Sequence, residues 1–339
     1  SPVDEAVQAR HLGTASVAQF RNFALAGALG HQDMIARNDD PDPTDPLRLV
    51  RRGDRAALAG DPASAAKAYG EALAKAPADW GRRSDVVAAR IGSLFGSGDP
   101  GGCVDFALAS VAHMGNGVSL VVALSYAGAC IDQLPADDSR RANLTALALE
   151  QLGQLVEDRA APLSLDDRSD VLFLQREYYD RAGGTEAARS AALRQRMLLD
   201  KAAAEASSAH EASIYNWPRT EVYVYLGVGA ELISDLEASE KALPKEYDPP
   251  YRLSWLYSKL NNPEAALAAA KRALERAYGL NKARIQGKVA KLYGELGDKS
   301  AEREARSAEL ALYEALPPGQ KDPEAEKRVR DALVSLGEK

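Results

Sequence analysis

Cys103 and Cys130 could do covalent chemistry by forming a disulfide. They make no CxxC pair and have no zinc-ligand spacing, so neither redox catalysis nor metal binding follows from them. Gly96-Ser97-Gly98-Asp99-Pro100-Gly101 matches the G-x-G-x-x-G loop that cradles a pyrophosphate. Such a loop works only between a strand and a helix N-terminus. Here a helical pattern precedes it, which makes the match an inter-helix turn. Asp39, Asp40, Asp42 and Asp45 gather carboxylates in one short stretch. They lack the glycine and closing glutamate of a calcium loop and read as a solvated acidic linker. His11, His31, His113 and His210 are scattered, with no paired carboxylate beside them. The sequence has no nucleophile elbow and no P-loop. These patterns predict no catalytic residue, no cofactor and no metal site, and a chain that is not an enzyme.

The chain has 339 residues, 46% of them hydrophobic and 27% charged. With three Met and five Phe, the core must be built from Ala, Leu, Val and Tyr. Small residues let helices approach closely. The net charge of −7 argues against a general nucleic-acid binder, which needs a basic face. No apolar run approaches the length of a membrane-spanning helix. The opening residues, SPVDEAVQAR, carry neither a basic nor an apolar leader region, which leaves removal and absence of a signal peptide equally open.

Helical pairs joined by tight turns recur along the sequence. In the cleanest stretch, Pro46 to Asp79, Gly53 and Ala56 precede the turn Gly60-Asp61-Pro62. Ala65, Tyr69 and Ala72 follow it, and Pro77 stops the second helix. Similar turns fall at Gly98-Asp99-Pro100, Ala182-Gly183-Gly184, Leu226-Gly227, Asn261-Asn262-Pro263 and Gly297-Asp298. After the last of these, the ladder Ala301, Ala305, Ala308 is one residue short of register. Helices are predicted over 100–114, 119–133 and 137–157. Cys103 and Cys130 then take mirror positions about Gly115-Asn116-Gly117. A disulfide and two merely touching core thiols are both open readings, and the bond would imply an oxidising compartment.

This spacing resembles the tetratricopeptide repeat, a helix-turn-helix unit. The resemblance implies an all-α, right-handed solenoid of about seven helix pairs with terminal capping helices. Its expected divisions are an N-terminal helical cap over 1–38, an acidic Pro-rich linker over 39–45 and repeats 1–3 over 46–160. Repeats 4–7 follow over 161–320, and a C-terminal capping helix over 321–339. One hairpin cannot bury its apolar stripe alone, so each must stack on its neighbours. Residues 215–285 carry YNWPRTEVYVYLG, an ASEKALP…YDPP junction and the run RALERAYG. They are similar to the tetratricopeptide segment behind a thioredoxin-like domain in some exported bacterial proteins. This chain has neither that domain nor its CxxC, so no oxidoreductase activity carries over. The resemblance implies an exported, periplasmic or envelope-associated scaffold, with a cytoplasmic one still open.

In the repeat register, Tyr251, Trp255 and Lys259 fall on the groove-lining face of the sixth unit. Arg284, Lys288 and Lys291 fall on or near that face in the seventh. From Arg252 to Lys291, nine basic residues face two acids, in an otherwise acidic protein. The block before it, 201–250, holds nine acids and four bases. Solvated helix faces explain such charges equally well. An aromatic floor flanked by cations suits a protein or peptide partner with an acidic segment. Trp217 either extends the aromatic strip or plugs the junction of the fifth and sixth units. The expected function is a non-enzymatic adaptor binding partner segments in its groove. The alternative is an accessory module of a thioredoxin-linked enzyme system.

Overall fold

The computed structural model describes residues 45–317 and 320–337. The expected N-terminal cap and nearly all of the acidic linker lie outside the described residues. The chain divides into two compact units between Leu198 and Leu199.

The first unit begins with α1 (Pro46–Leu58), α2 (Pro62–Lys75), α3 (Arg83–Gly96) and α4 (Pro100–Ser110). It continues with α5 (Val118–Gln133), α6 (Ser139–Glu157) and α7 (Leu165–Arg181), and the division falls inside α8 (Thr185–Glu205). The first two pairs are punctuated by the same device. Gly60 turns the chain at φ 76°, a left-handed conformation that costs glycine little. The next residue, Asp61, accepts a hydrogen bond from Ser64 N at 3.0 Å and caps α2, and Pro62 opens the helix where its missing N–H is not needed. Gly98 and Asp99 repeat the arrangement at α4, with Gly102 N donating at 2.8 Å. Successive helices then pack on the next and the next but one: α1 on α2, α2 on α3, α3 on α5, α5 on α7.

Small residues set how closely the helices meet. Gly53 lies under the Tyr69 ring, and a Cβ there would sit 2.5 Å from Tyr69 Cε1. The Tyr69 hydroxyl donates to Asp54 Oδ1 at 2.7 Å, and burial raises the Asp54 pKa. Gly153, on α6, has nothing within 4 Å of its missing Cβ. One change therefore has opposite effects at the two sites. Gly53→Ala is expected to cost about 1–2 kcal/mol, overpacking outweighing the gain in helix propensity. Gly153→Ala is expected to stabilise by up to about 1 kcal/mol. Circular-dichroism melts of the two variants check both signs.

Two predicted boundaries differ. The helix expected over 100–114 ends at Ser110 and tightens into a 3-10 turn, Val111–His113, in which Met114 N reaches Val111 O. That tightening satisfies carbonyls which Gly115-Asn116-Gly117 cannot continue. The helix expected from 137 begins at Ser139, because the Asp138 carboxylate accepts from Arg140 N and acts as its cap. Cys103 on α4 and Cys130 on α5 are bonded, with their Cα atoms 6.3 Å apart and both residues fully buried.

The second unit carries α9 (Ala209–Ser213), α10 (Asn216–Tyr225), a 3-10 turn (Gly229–Leu232) and α11 (Ile233–Ala242). The pairs α12 (Asp248–Lys259) with α13 (Pro263–Arg276) and α14 (Gly279–Glu295) with α15 (Lys299–Glu314) follow, then α16 (Pro323–Gly337). Asn261 supplies the left-handed turn residue and Asn262 the cap of α13. Ala266 and Ala270 are fully buried in one cluster with α14 residues such as Ala290, and Ala273 in another with Ile285 of α14. On α15 the expected Ala308 is exposed, and the buried ladder runs Ala305, Glu309, Tyr313. Glu309 fits because Gly287 leaves room: a Cβ there would meet the carboxylate. Arg306 donates to that carboxylate at 2.8 Å.

Candidate functional site

Helix α12 opens with Asp248-Pro249-Pro250 in its first turn. Leu253 and Leu256 turn into the core, fully buried. Tyr251, Trp255 and Ser258 are half-buried and Lys259 is exposed. Residues spaced by three or four share one face of a helix, so these four side chains line up. Trp255 meets Trp217 of α10 edge-on, with ring centroids 5.1 Å apart. Trp217 thus packs between α10 and α12 while staying half-exposed. The Lys259 ammonium lies 5.2 Å from the Trp255 ring centre, in range for a cation–π contact.

Helix α14 brings a second set. Lys288 Nζ donates to Ser258 Oγ at 2.7 Å, and Ser258 Oγ donates in turn to Ser254 O at 3.0 Å. Burial pushes the Lys288 pKa below its ordinary value; Glu295 opposes the shift, while Lys291 and Lys259 add to it. Lys291 itself is 3.7 Å from the Glu295 carboxylate and well exposed. Lys259, Lys288 and Lys291 therefore share one electrostatic neighbourhood beside Trp255. Arg284 is half-exposed on the same helix and its field reaches Tyr313 of α15. The sequence reading missed Ser258. Its position seven residues after Tyr251 was the available signal.

Six helical hairpins among the described residues turn through a left-handed Gly or Asn, at Gly60, Gly98, Gly183, Gly227, Asn261 and Gly297. The fold is tetratricopeptide-like. No protein-family model and no curated protein matches this chain. Among solved structures, it is similar to a tetratricopeptide repeat protein from Parabacteroides merdae. Identity is 10%, coverage 86% of this chain and 98% of that one, and the TM-score 0.48. It is also similar to Acl4, an assembly chaperone of RpL4, at 15% identity, 86% and 97% coverage and TM-score 0.40. The TPR2AB domain of yeast Sti1, in a pHSP90 complex, matches at 13% identity, 86% and 98% coverage and TM-score 0.33.

Within the tetratricopeptide-like hairpins, the basic excess over 252–291 is smaller than its residue count. Arg252 is buried, 2.7 Å from the Asp248 carboxylate and 4.4 Å from the Trp217 ring centre. It is a pillar beneath the aromatic pair and not a groove cation. Arg272 and Arg276 both reach Glu240 of α11, at 2.9 and 3.0 Å. Lys271 lies over Tyr293. Arg272 and Arg276 thus meet their acid from the preceding block across a helix-helix contact that sequence order hides, while Arg252 meets Asp248 one turn back on its own helix. Among the described residues no helix is long and apolar enough to cross a membrane, and no group of three or more His, Cys, Asp or Glu could hold a metal ion.

Proposed function

We propose that this chain is a protein-interaction scaffold whose second unit takes an acidic partner segment along the α12–α14 face. The observation that carries this reading is the half-exposed Trp217–Trp255 pair, with Lys259 over one ring and Lys288 one hydrogen bond away at Ser258. Aromatic anchors flanked by cations are the usual energetic centres of protein interfaces. The face is prepared by buried groups: Arg252 supports Trp217 from below, and Leu253 and Leu256 fix the helix to the core. Arg284 and Lys291 extend the positive rim along α14. The Cys103–Cys130 bond supports work in an oxidising compartment, and so an exported scaffold.

Truncating Trp255 and Lys259 together tests the reading. Trp255→Ala with Lys259→Ala is expected to weaken partner capture about thirty-fold or more, the scale of one interface anchor. Far-ultraviolet circular dichroism should be unchanged, because both side chains face outward. Capture at wild-type strength by the folded double variant would retire this face.

A further inference from the structure

Lys288 carries a positive charge in a place that resists one. It is half-buried, and the Lys259 ammonium on α12 and the Lys291 ammonium on its own helix both face it. One carboxylate, Glu295 on the same helix, acts on Lys288 and also lies 3.7 Å from Lys291. The uncharged hydroxyl of Ser258 takes one ammonium hydrogen. An ammonium offers three donors, so Lys288 has donors left for an incoming oxygen. An anion docked among the three lysines would relieve their mutual repulsion and supply the missing counter-charge.

We propose that the site captures a side-chain carboxylate of the docked protein segment among Lys259, Lys288 and Lys291, and that Lys288 takes up a proton as it does so. This rests on the groove reading above. It adds that capture is proton-linked, so the scaffold releases its partner as the surroundings turn alkaline. The direction follows from lysine chemistry. Lys288 is charged below its pKa, and the carboxylate favours the charged form. Affinity is therefore full below the free-state pKa and falls as pH rises through it, levelling off above the bound-state pKa. Burial and the two neighbouring ammonium groups bring that fall to lower pH than an ordinary lysine would show.

Calorimetric titration of the full chain with a tetraglutamate peptide, from pH 7 to pH 10, tests this. Wild-type affinity should hold at neutral pH and then drop by up to tenfold per pH unit. Lys288→Arg should bind and lose the alkaline drop, since arginine stays charged. Lys288→Gln should bind at least tenfold more weakly at pH 7 and show no drop. Should either variant misfold, the wild type alone suffices. Titrations in two buffers of different ionisation heat should show proton uptake on the alkaline limb and none at pH 7. No tetraglutamate binding by wild type would overturn the groove reading itself. Binding without proton uptake, or with the same drop in Lys288→Arg, would overturn the proton link and leave the groove standing. Inorganic phosphate competing at equal affinity would overturn the side-chain carboxylate as occupant.

Discussion

Arg252→Met is expected to destabilise the second unit by about 3–5 kcal/mol, the usual cost of removing one partner from a buried ion pair. The wild-type guanidinium has 3% side-chain exposure and the Asp248 carboxylate 11%. Methionine fills much of the volume but leaves that carboxylate inside without its counter-charge. It also removes the cation beneath Trp217. The variant Arg252→Met with Asp248→Asn should recover most of the loss, because replacing both charges is far cheaper than orphaning one. Urea unfolding followed by tryptophan fluorescence is the right measurement. Of the three tryptophans, Trp217 lies over Arg252, Trp255 packs against Trp217, and Trp80 lies in the first unit. A repeat array need not unfold in one step, so a local signal is worth more than a global one. A single variant as stable as wild type would show that the pair contributes nothing, and a double variant no better than the single would place the cost in packing.

The repeat was legible because its signals are local. Gly60-Asp61-Pro62 and Asn261-Asn262-Pro263 each write a left-handed residue, a cap and a helix start within three positions. No tertiary knowledge is needed to read them. The alignment of Tyr251, Trp255 and Lys259 was legible for the same reason, since helical spacing alone puts them on one face. What sequence hides is pairing between helices. Burial is hidden too: Arg252 and Lys259 look alike as basic residues on one helix, yet Arg252 is buried with Asp248 one turn back on that helix and Lys259 is exposed. Glu240 answers Arg272 and Arg276 across 32 and 36 positions, a distance no local count registers. Glu309 was hidden differently. Its burial depends on the absence of a side chain at Gly287, on the partner helix. Ser258 was missed because its helical spacing from Tyr251 was its one signal, and a serine among aromatics and lysines shows its role only through the bond to Lys288.

Cys103→Ala with Cys130→Ala is expected to cost the first unit about 3–4 kcal/mol. The bond spans 27 residues of sequence, and closing a loop of that size removes about this much from the stability of the unfolded chain's competition. The effect should be confined to the first unit. The bond joins α4 to α5, and the start of α4 needs the help: Gly101 and Gly102 in its first turn are poor helix formers. Both sulfurs are fully buried, so thiolate attack must wait for local opening. Wild-type protein in native buffer with dithiothreitol should therefore resist reduction for hours, and add two alkyl groups on iodoacetamide treatment only once urea is present. The double variant should instead lower the unfolding midpoint reported by Trp80 and leave that reported by the Trp217–Trp255 pair unmoved. Quick reduction in native buffer would mean that α4 opens readily, and that the bond guards a loose hairpin instead of cross-linking a tight one.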